Sequence, residues 1–155
     1  MDLFLSQYVN KLDKKGRVSL PSAFRNILPK KNKNEIILFK SLKFPSIEGC
    51  SKERIFKIAE RIDNLEIFSD DQEDFSTSIF SEIVPTNLDN EGRFLIPEIL
   101  KEYSKIKNEA AFIGHGHYFQ IWEPKAAKER QEKSRNRLIN EKKTLGSIIV
   151  SKSND

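Results

Sequence analysis

Two short stretches of this 155-residue chain carry side chains suited to gripping a polyanion. Leu12 to Pro21 reads LDKKGRVSLP, and Leu88 to Pro97 reads LDNEGRFLIP. Leu, Asp, Gly, Arg and Pro fall at the same offsets, with Asp89 placed 76 residues after Asp13, about half the chain. In each copy the Asp can accept bonds from backbone amides ahead of it, and the Gly tolerates positive φ, so the pair encodes a chain reversal. The Arg that follows presents a planar set of donors that matches a phosphate or a guanine edge. Asp13, Gly16, Asp89 and Gly92 therefore read as supports of a turn, and Arg17 and Arg93 as the groups it displays. Lys14 and Lys15 share the first turn, and Lys11 and Arg25 lie close in sequence, so the first copy is expected to make the stronger contact with a polyanion. In the second copy Glu91 opposes an approaching phosphate, which leaves Arg93 evenly balanced between contact and structure. The plainer alternative for both arginines is an internal pair with their own aspartates.

Other candidate chemistry is sparse. His115 and His117 sit two apart between glycines, but no second group of Cys, His or paired carboxylates supplies further ligands, so incidental loop histidines are expected and no metal or other cofactor. Cys50 is the single cysteine, which excludes an intrachain disulfide and suits a reducing compartment. Two histidines and one cysteine make nucleophile–base pairs scarce, and no Gly-rich phosphate loop is present; an enzyme with a small-molecule substrate is not expected. No apolar run approaches transmembrane length, and the N-terminus MDLFLSQYV lacks a basic start, so a cytoplasmic protein without membrane contact is expected.

The elements that must position the two turns follow from pattern and punctuation. Each half reads strand–turn–strand–helix–hairpin–helix, an α+β order with antiparallel pairing. Phe4 to Leu12 and Val18 to Leu20 flank the first turn; Ile79 to Leu88 and Phe94 to Ile96 flank the second. Pro21 and Pro97 open short helices. Ile36 to Phe39 is a buried-strand candidate with a hairpin partner near Phe44 to Ile47, and Ala110 to Ile113 pairs with Tyr118 to Trp122. Ser51 can cap a helix carrying Ile55, Ile58, Ala59 and Ile62. The predicted domains are a first module over 3–62, an acidic connector read as a solvated linker over 63–78, a second module over 79–135 and a polar tail over 136–155, disordered after Gly146. Eleven Phe supply a core, and a half-chain alone would be marginal, so the modules are expected to pack together.

Charge is segregated although the net is only +4. Residues 1–33 hold eight Lys/Arg against two acids, residues 48–98 hold five against thirteen, and residues 125–143 hold eight against three. Such blocks suit a polyanion on one face or head-to-tail contact between subunits.

The doubled D-x-x-x-R motif, with FLSQYVNKLDKKGRVSLPSAFR, LDNEGRFLIP and AFIGHGHYFQIWEP in this order, resembles the MraZ family of bacterial transcriptional regulators across roughly residues 3 to 135. The resemblance implies two similar AbrB-like (double-psi, or swapped-hairpin) modules. It also implies a cytoplasmic, nucleoid-associated regulator of the cell-division and cell-wall gene cluster, which binds promoter-proximal direct repeats in double-stranded DNA as a ring-shaped homo-oligomer. The family's motif residues match at Asp13 and Arg17 and at Asp89 and Arg93. The chain departs from the family's pattern in starting MDLFLS and in carrying Asn90-Glu91 where the first motif carries Lys14-Lys15. The competing readings are an oligomeric scaffold and an AbrB-like antitoxin.

Overall fold

The computed structural model describes residues 2–148; the Ile148–Val150 apolar run and the end of the tail fall largely or wholly outside them. The described residues divide into two compact units, one up to Pro124 and one from Lys125 on. The first unit is an α+β body. Its strands are β1 (Gln7–Lys11), β2 (Arg17–Ser19), β3 (Glu35–Lys40), β4 (Ile47–Cys50), β5 (Val84–Asn87), β6 (Arg93–Leu95), β7 (Glu109–Gly114) and β8 (Phe119–Trp122). Six of them form an antiparallel sheet in the order β1-β7-β8-β4-β3-β5, and β2 pairs with β6 in a separate antiparallel ribbon.

Strands from the two sequence halves are interleaved. β1 lies against β7, β5 against β3 and β4 against β8. The strands on either side of each turn accordingly do not form a hairpin with one another: β1 joins the large sheet, whereas β2 crosses to the ribbon and meets the other half. Pro85 lies in β5, an edge strand, where its missing amide breaks no interior ladder.

β3 explains the layering. With side chains alternating at period two, Ile36 and Leu38 enter one core, and Ile37 and Phe39 the other. The main core collects Val18, Leu20, Phe94 and Ile96 from the ribbon region. To these it adds Phe24 from α1 (Ser22–Arg25), Leu100 from α4 (Glu98–Ser104), and Phe112, Phe119 and Ile121 from the sheet. Phe24 is fully buried, with the rings of Phe4, Tyr8 and Phe119 at 5.3, 5.6 and 5.4 Å, a favourable aromatic cluster. The smaller core is closed by α2 (Lys52–Asp63) and α3 (Asp70–Ile79), which set Ile55, Ile58, Ile62 and Ile79 against Ile37, Phe39 and Cys50.

Two sequence expectations are corrected here. The acidic stretch is not a plain linker: residues 70–79 form α3, because Ser69 Oγ accepts from Gln72 N at 3.1 Å and Asp70, Asp71 and Glu73 complement the positive end of the helix. Ile79 consequently ends a helix, and the strand expected from Ile79 starts only at Val84. Ser51 does occupy the N-cap of α2, although its side chain makes no capping bond.

In the second unit, α5 (Pro124–Asn140) runs through most of the basic tail, and Arg137 Nε pairs with Glu141 at 3.2 Å. A short 3-10 turn follows at Leu145–Ser147. Among the described residues no helix is long and apolar enough to cross a membrane.

Removing the centre of the aromatic cluster tests this packing. Phe24→Ala is expected to lower unfolding free energy by about 3–5 kcal/mol, measured by chemical denaturation.

Candidate nucleic-acid interface

The two repeated turns fold alike, almost atom for atom. In the first, Asp13 Oδ1 accepts from the backbone amides of Lys15 and Arg17, both at 2.9 Å, and Oδ2 accepts from Arg17 Nε at 2.8 Å. In the second, Asp89 Oδ1 accepts from the amides of Glu91 and Arg93, both at 2.9 Å, and Oδ2 from Arg93 Nε at 3.0 Å. Each Asp amide also donates to the carbonyl of its Arg at 2.8 Å, closing the turn. Gly16 and Gly92 take φ of +83° and +78°, the left-handed conformation that disfavours a side chain.

These bonds fix the charge state of the supports. Both aspartates are held below the ordinary value of 3.8. The backbone amide of Arg17 or Arg93 is the largest cause; the partner arginine and the neighbouring amide add to it, against a smaller opposing effect of desolvation.

The internal Asp–Arg pair, read from sequence as the plainer alternative, is thus present in both turns; the difference lies in what surrounds it. Arg17 pairs with Asp13 and has no second carboxylate among the described residues, while Lys14 and Lys15 stand exposed beside it. Arg93 pairs with Asp89 and, through Nη1, with Glu91 at 3.4 Å. The first turn therefore carries three cations and one carboxylate, and the second one cation and two carboxylates. Both arginine side chains stay about 30% accessible and so remain partly open to solvent.

The ribbon swaps the neighbourhoods of the turns. Leu20 N donates to Gly92 O at 2.9 Å, which brings the chain entering α1 to the second turn. Arg25, assigned from sequence to the first turn, lies instead against the second: a Cβ at Gly92 would overlap its guanidinium. Gly16 has more room, its nearest neighbour to such a carbon being Leu95 Cδ2 at 3.7 Å. One cation is thereby lent to the turn that is poorer in positive charge.

The ribbon also exposes residues that sequence reasoning passed over. Val18 faces Phe94 across the strands and both are buried. The flanking pairs Arg17–Leu95 and Ser19–Arg93 consequently share the outer face. Strand alternation around Val18 and Phe94 was the signal that could have found Ser19 and Leu95.

Most of the remaining candidates have structural surroundings, while His117 stands exposed. His115 stacks on Tyr118 with centroids 5.0 Å apart, and Gly116 pairs with Phe4 through bonds of 2.7 and 2.9 Å, so the histidine loop fastens the N-terminal segment to the β7–β8 hairpin. Among the described residues no three potential metal ligands gather. Trp122 is buried and donates from Nε1 to Gln120 at 2.8 Å. Burial pushes the Cys50 thiol up to about 12, which removes its nucleophilic form at neutral pH.

Two Asp–Gly–Arg turns exchanged across a two-stranded ribbon, on an antiparallel α+β body, define an AbrB-like swapped-hairpin protein. Residues 79–146 match the family described as "MraZ protein, putative antitoxin-like". Proteins named Transcriptional regulator MraZ align along most of the chain. That of Pelagibacter ubique (strain HTCC1062) is 46% identical over 124 residues, 80% of each chain. That of Rickettsia akari (strain Hartford) is 36% identical over 143 residues, 92% of this chain and 95% of its own. That of Gluconacetobacter diazotrophicus is 36% identical over 140 residues, 88% and 89% of the two chains. The chain belongs to the MraZ family, whose members are named as transcriptional regulators and not as enzymes.

Acid and glycine substitutions probe the turns separately. A depressed carboxyl contributes stability that is present above its unfolded pKa and is lost as pH falls through the folded one. The amides of Lys15, Arg17, Glu91 and Arg93 are therefore expected to stay protected as pH falls to 3.8 and to open below it, followed by hydrogen exchange. Gly16→Ala and Gly92→Ala should each cost about 1–2 kcal/mol through positive φ. Only Gly92→Ala should also displace Arg25, seen as a shift of that guanidinium's NMR signal.

Proposed function

We propose that this chain is a sequence-specific DNA-binding transcriptional regulator that acts as a homo-oligomer, with the outer face of the β2–β6 ribbon laid on the duplex. The observation that carries the reading is the first turn: Arg17 held by one carboxylate, with Lys14 and Lys15 exposed at its side. Arg17 reaches a base edge or phosphate, and the lysines anchor on the backbone. Arg25 and Arg93 serve the second turn, which contributes less because Glu91 neutralises part of its charge. Asp13, Gly16, Asp89 and Gly92 position these cations and do not touch DNA.

One turn makes few contacts, so a single subunit binds weakly. An assembly of subunits, a ring in this reading, presents many turns to direct repeats near a promoter and gains by effective concentration. The modules over 3–62 and 79–135, joined through 63–78, act as two halves of one platform, and the segregated charge of the acidic middle and basic ends suits contacts between subunits. The name borne by the relatives, transcriptional regulator, supports the regulatory role; the cell-division and cell-wall gene cluster as its target and a cytoplasmic, nucleoid-associated location belong to this proposal.

Mobility shift with duplex DNA from upstream of the chain's own gene, against a scrambled control, tests the reading. Arg17→Ala is expected to raise Kd about tenfold or more, in line with about 1–3 kcal/mol for a base-edge contact, and Arg93→Ala to raise it less. Affinity should fall steeply with salt, and Lys15→Ala should flatten the log–log slope by about 0.9. Equal losses from the two arginines, or no loss from Arg17→Ala, would reject the first turn as the principal contact.

A further inference from the structure

The two copies of the motif share a backbone but not an outer surface, and the difference falls at one pair of positions. Ser19 and Leu95 each stand two residues after the motif arginine, so they are equivalent in the repeat. Both point away from the core, because Val18 and Phe94 between them and their arginines are buried. Ser19 is exposed and polar. Leu95 is 58% exposed and apolar, with Arg17 directly across the ribbon and the Gly16 bend beside it.

An isolated surface leucine is ordinary. This one sits where the most cationic turn meets its partner strand, and covering it with an apolar protein surface would also strip water from Arg17 and the nearby lysines without giving them a counter-charge. A DNA groove supplies both requirements at once: phosphates for the cations and the C5-methyl of thymine for the leucine.

We propose that Leu95 is a specificity-determining residue that reads a thymine methyl next to the base or phosphate held by Arg17. This rests on the DNA-binding reading above and adds to it the identity of a recognised base. Ser19, at the equivalent position beside Arg93, has no methyl to offer a methyl; its hydroxyl donates to or accepts from a base edge or a phosphate. The two ends of the ribbon therefore ask for different bases, and the site bound by one subunit is not palindromic. An asymmetric unit of this kind matches sites repeated in one direction, since each subunit then meets its site in the same orientation.

The test replaces each thymine of the upstream duplex in turn by uracil, which deletes the methyl and keeps pairing and edge acceptors. Wild-type protein is expected to lose about fourfold in affinity at one thymine per bound site, the scale of one buried methyl. Leu95→Ser should bind the parent DNA about as weakly as wild type binds that uracil duplex, and should be indifferent to the same replacement. Its melting temperature and oligomeric mass should be unchanged, because the side chain is exposed. The inference is overturned if wild type binds the parent duplex but no uracil weakens it. It is also overturned if Leu95→Ser keeps the wild-type uracil sensitivity, or if the variant's main effect is a change of oligomeric mass. Failure of wild type to bind the parent duplex at all is a different outcome, and overturns the DNA-binding reading together with this inference.

Discussion

Everything displayed by this protein depends on a carboxylate that accepts two backbone amides and its own arginine. Asp13 and Asp89 each use one oxygen to gather the amides two and four residues ahead, and the other to hold the arginine Nε. A four-residue turn has little other means of keeping one shape, since its side chains are largely in water. With the carboxylate in place, the arginine leaves the backbone in a fixed direction and pays less ordering entropy on meeting a ligand. The aspartates stay charged to lower pH than an ordinary aspartate for the same reason: the amides that they organise stabilise the anion.

A rigid turn is useful only if something rigid carries it, and the ribbon supplies that. Val18 and Phe94 face each other across two three-residue strands and are both buried in the main core, so the ribbon is pinned from beneath by Phe112 and the cluster around it. Because the strands come from different halves, neither turn is carried by one half alone, although each closes on its own residues. Arg25 illustrates the exchange: its helix follows the first turn in sequence, while its guanidinium rests on the glycine of the second. Symmetry of backbone thus coexists with asymmetry of charge, and the side chains at Lys14, Lys15, Asn90 and Glu91 decide which turn attracts a polyanion more strongly.

Much of this was legible in the residues. The two turns, the glycines at positive φ, the prolines at helix starts and the β7–β8 hairpin followed from local chemistry, which the chain states explicitly at Asp13–Gly16, Asp89–Gly92, Pro21 and Pro97. Pairing was not legible, because strands of three to six residues carry no mark of their partner. The swap of β1 and β2 onto the other half's strands is a tertiary fact, and with it the destination of Arg25 and the outward pair Arg17–Leu95. The helix α3 was overlooked for a different reason. Its composition is acidic and polar, yet Ser69 followed by Gln72, with acids in the first turn, is a helix-start pattern that composition conceals. Ile79, Phe80 and Ile83 then read as a strand although they close the smaller core from a helix end and the turn after it.

The ribbon and its two turns are the surface proposed to meet DNA. Hydrogen–deuterium exchange of the intact assembly, with and without duplex from upstream of its own gene, addresses this most directly, because backbone amides report without any substitution. Slower exchange concentrated in residues 13–19 and 89–95, strongest in the first segment, is the predicted result. Protection confined to α2 and α3, or a pattern unchanged by DNA that is demonstrably bound, would contradict the account.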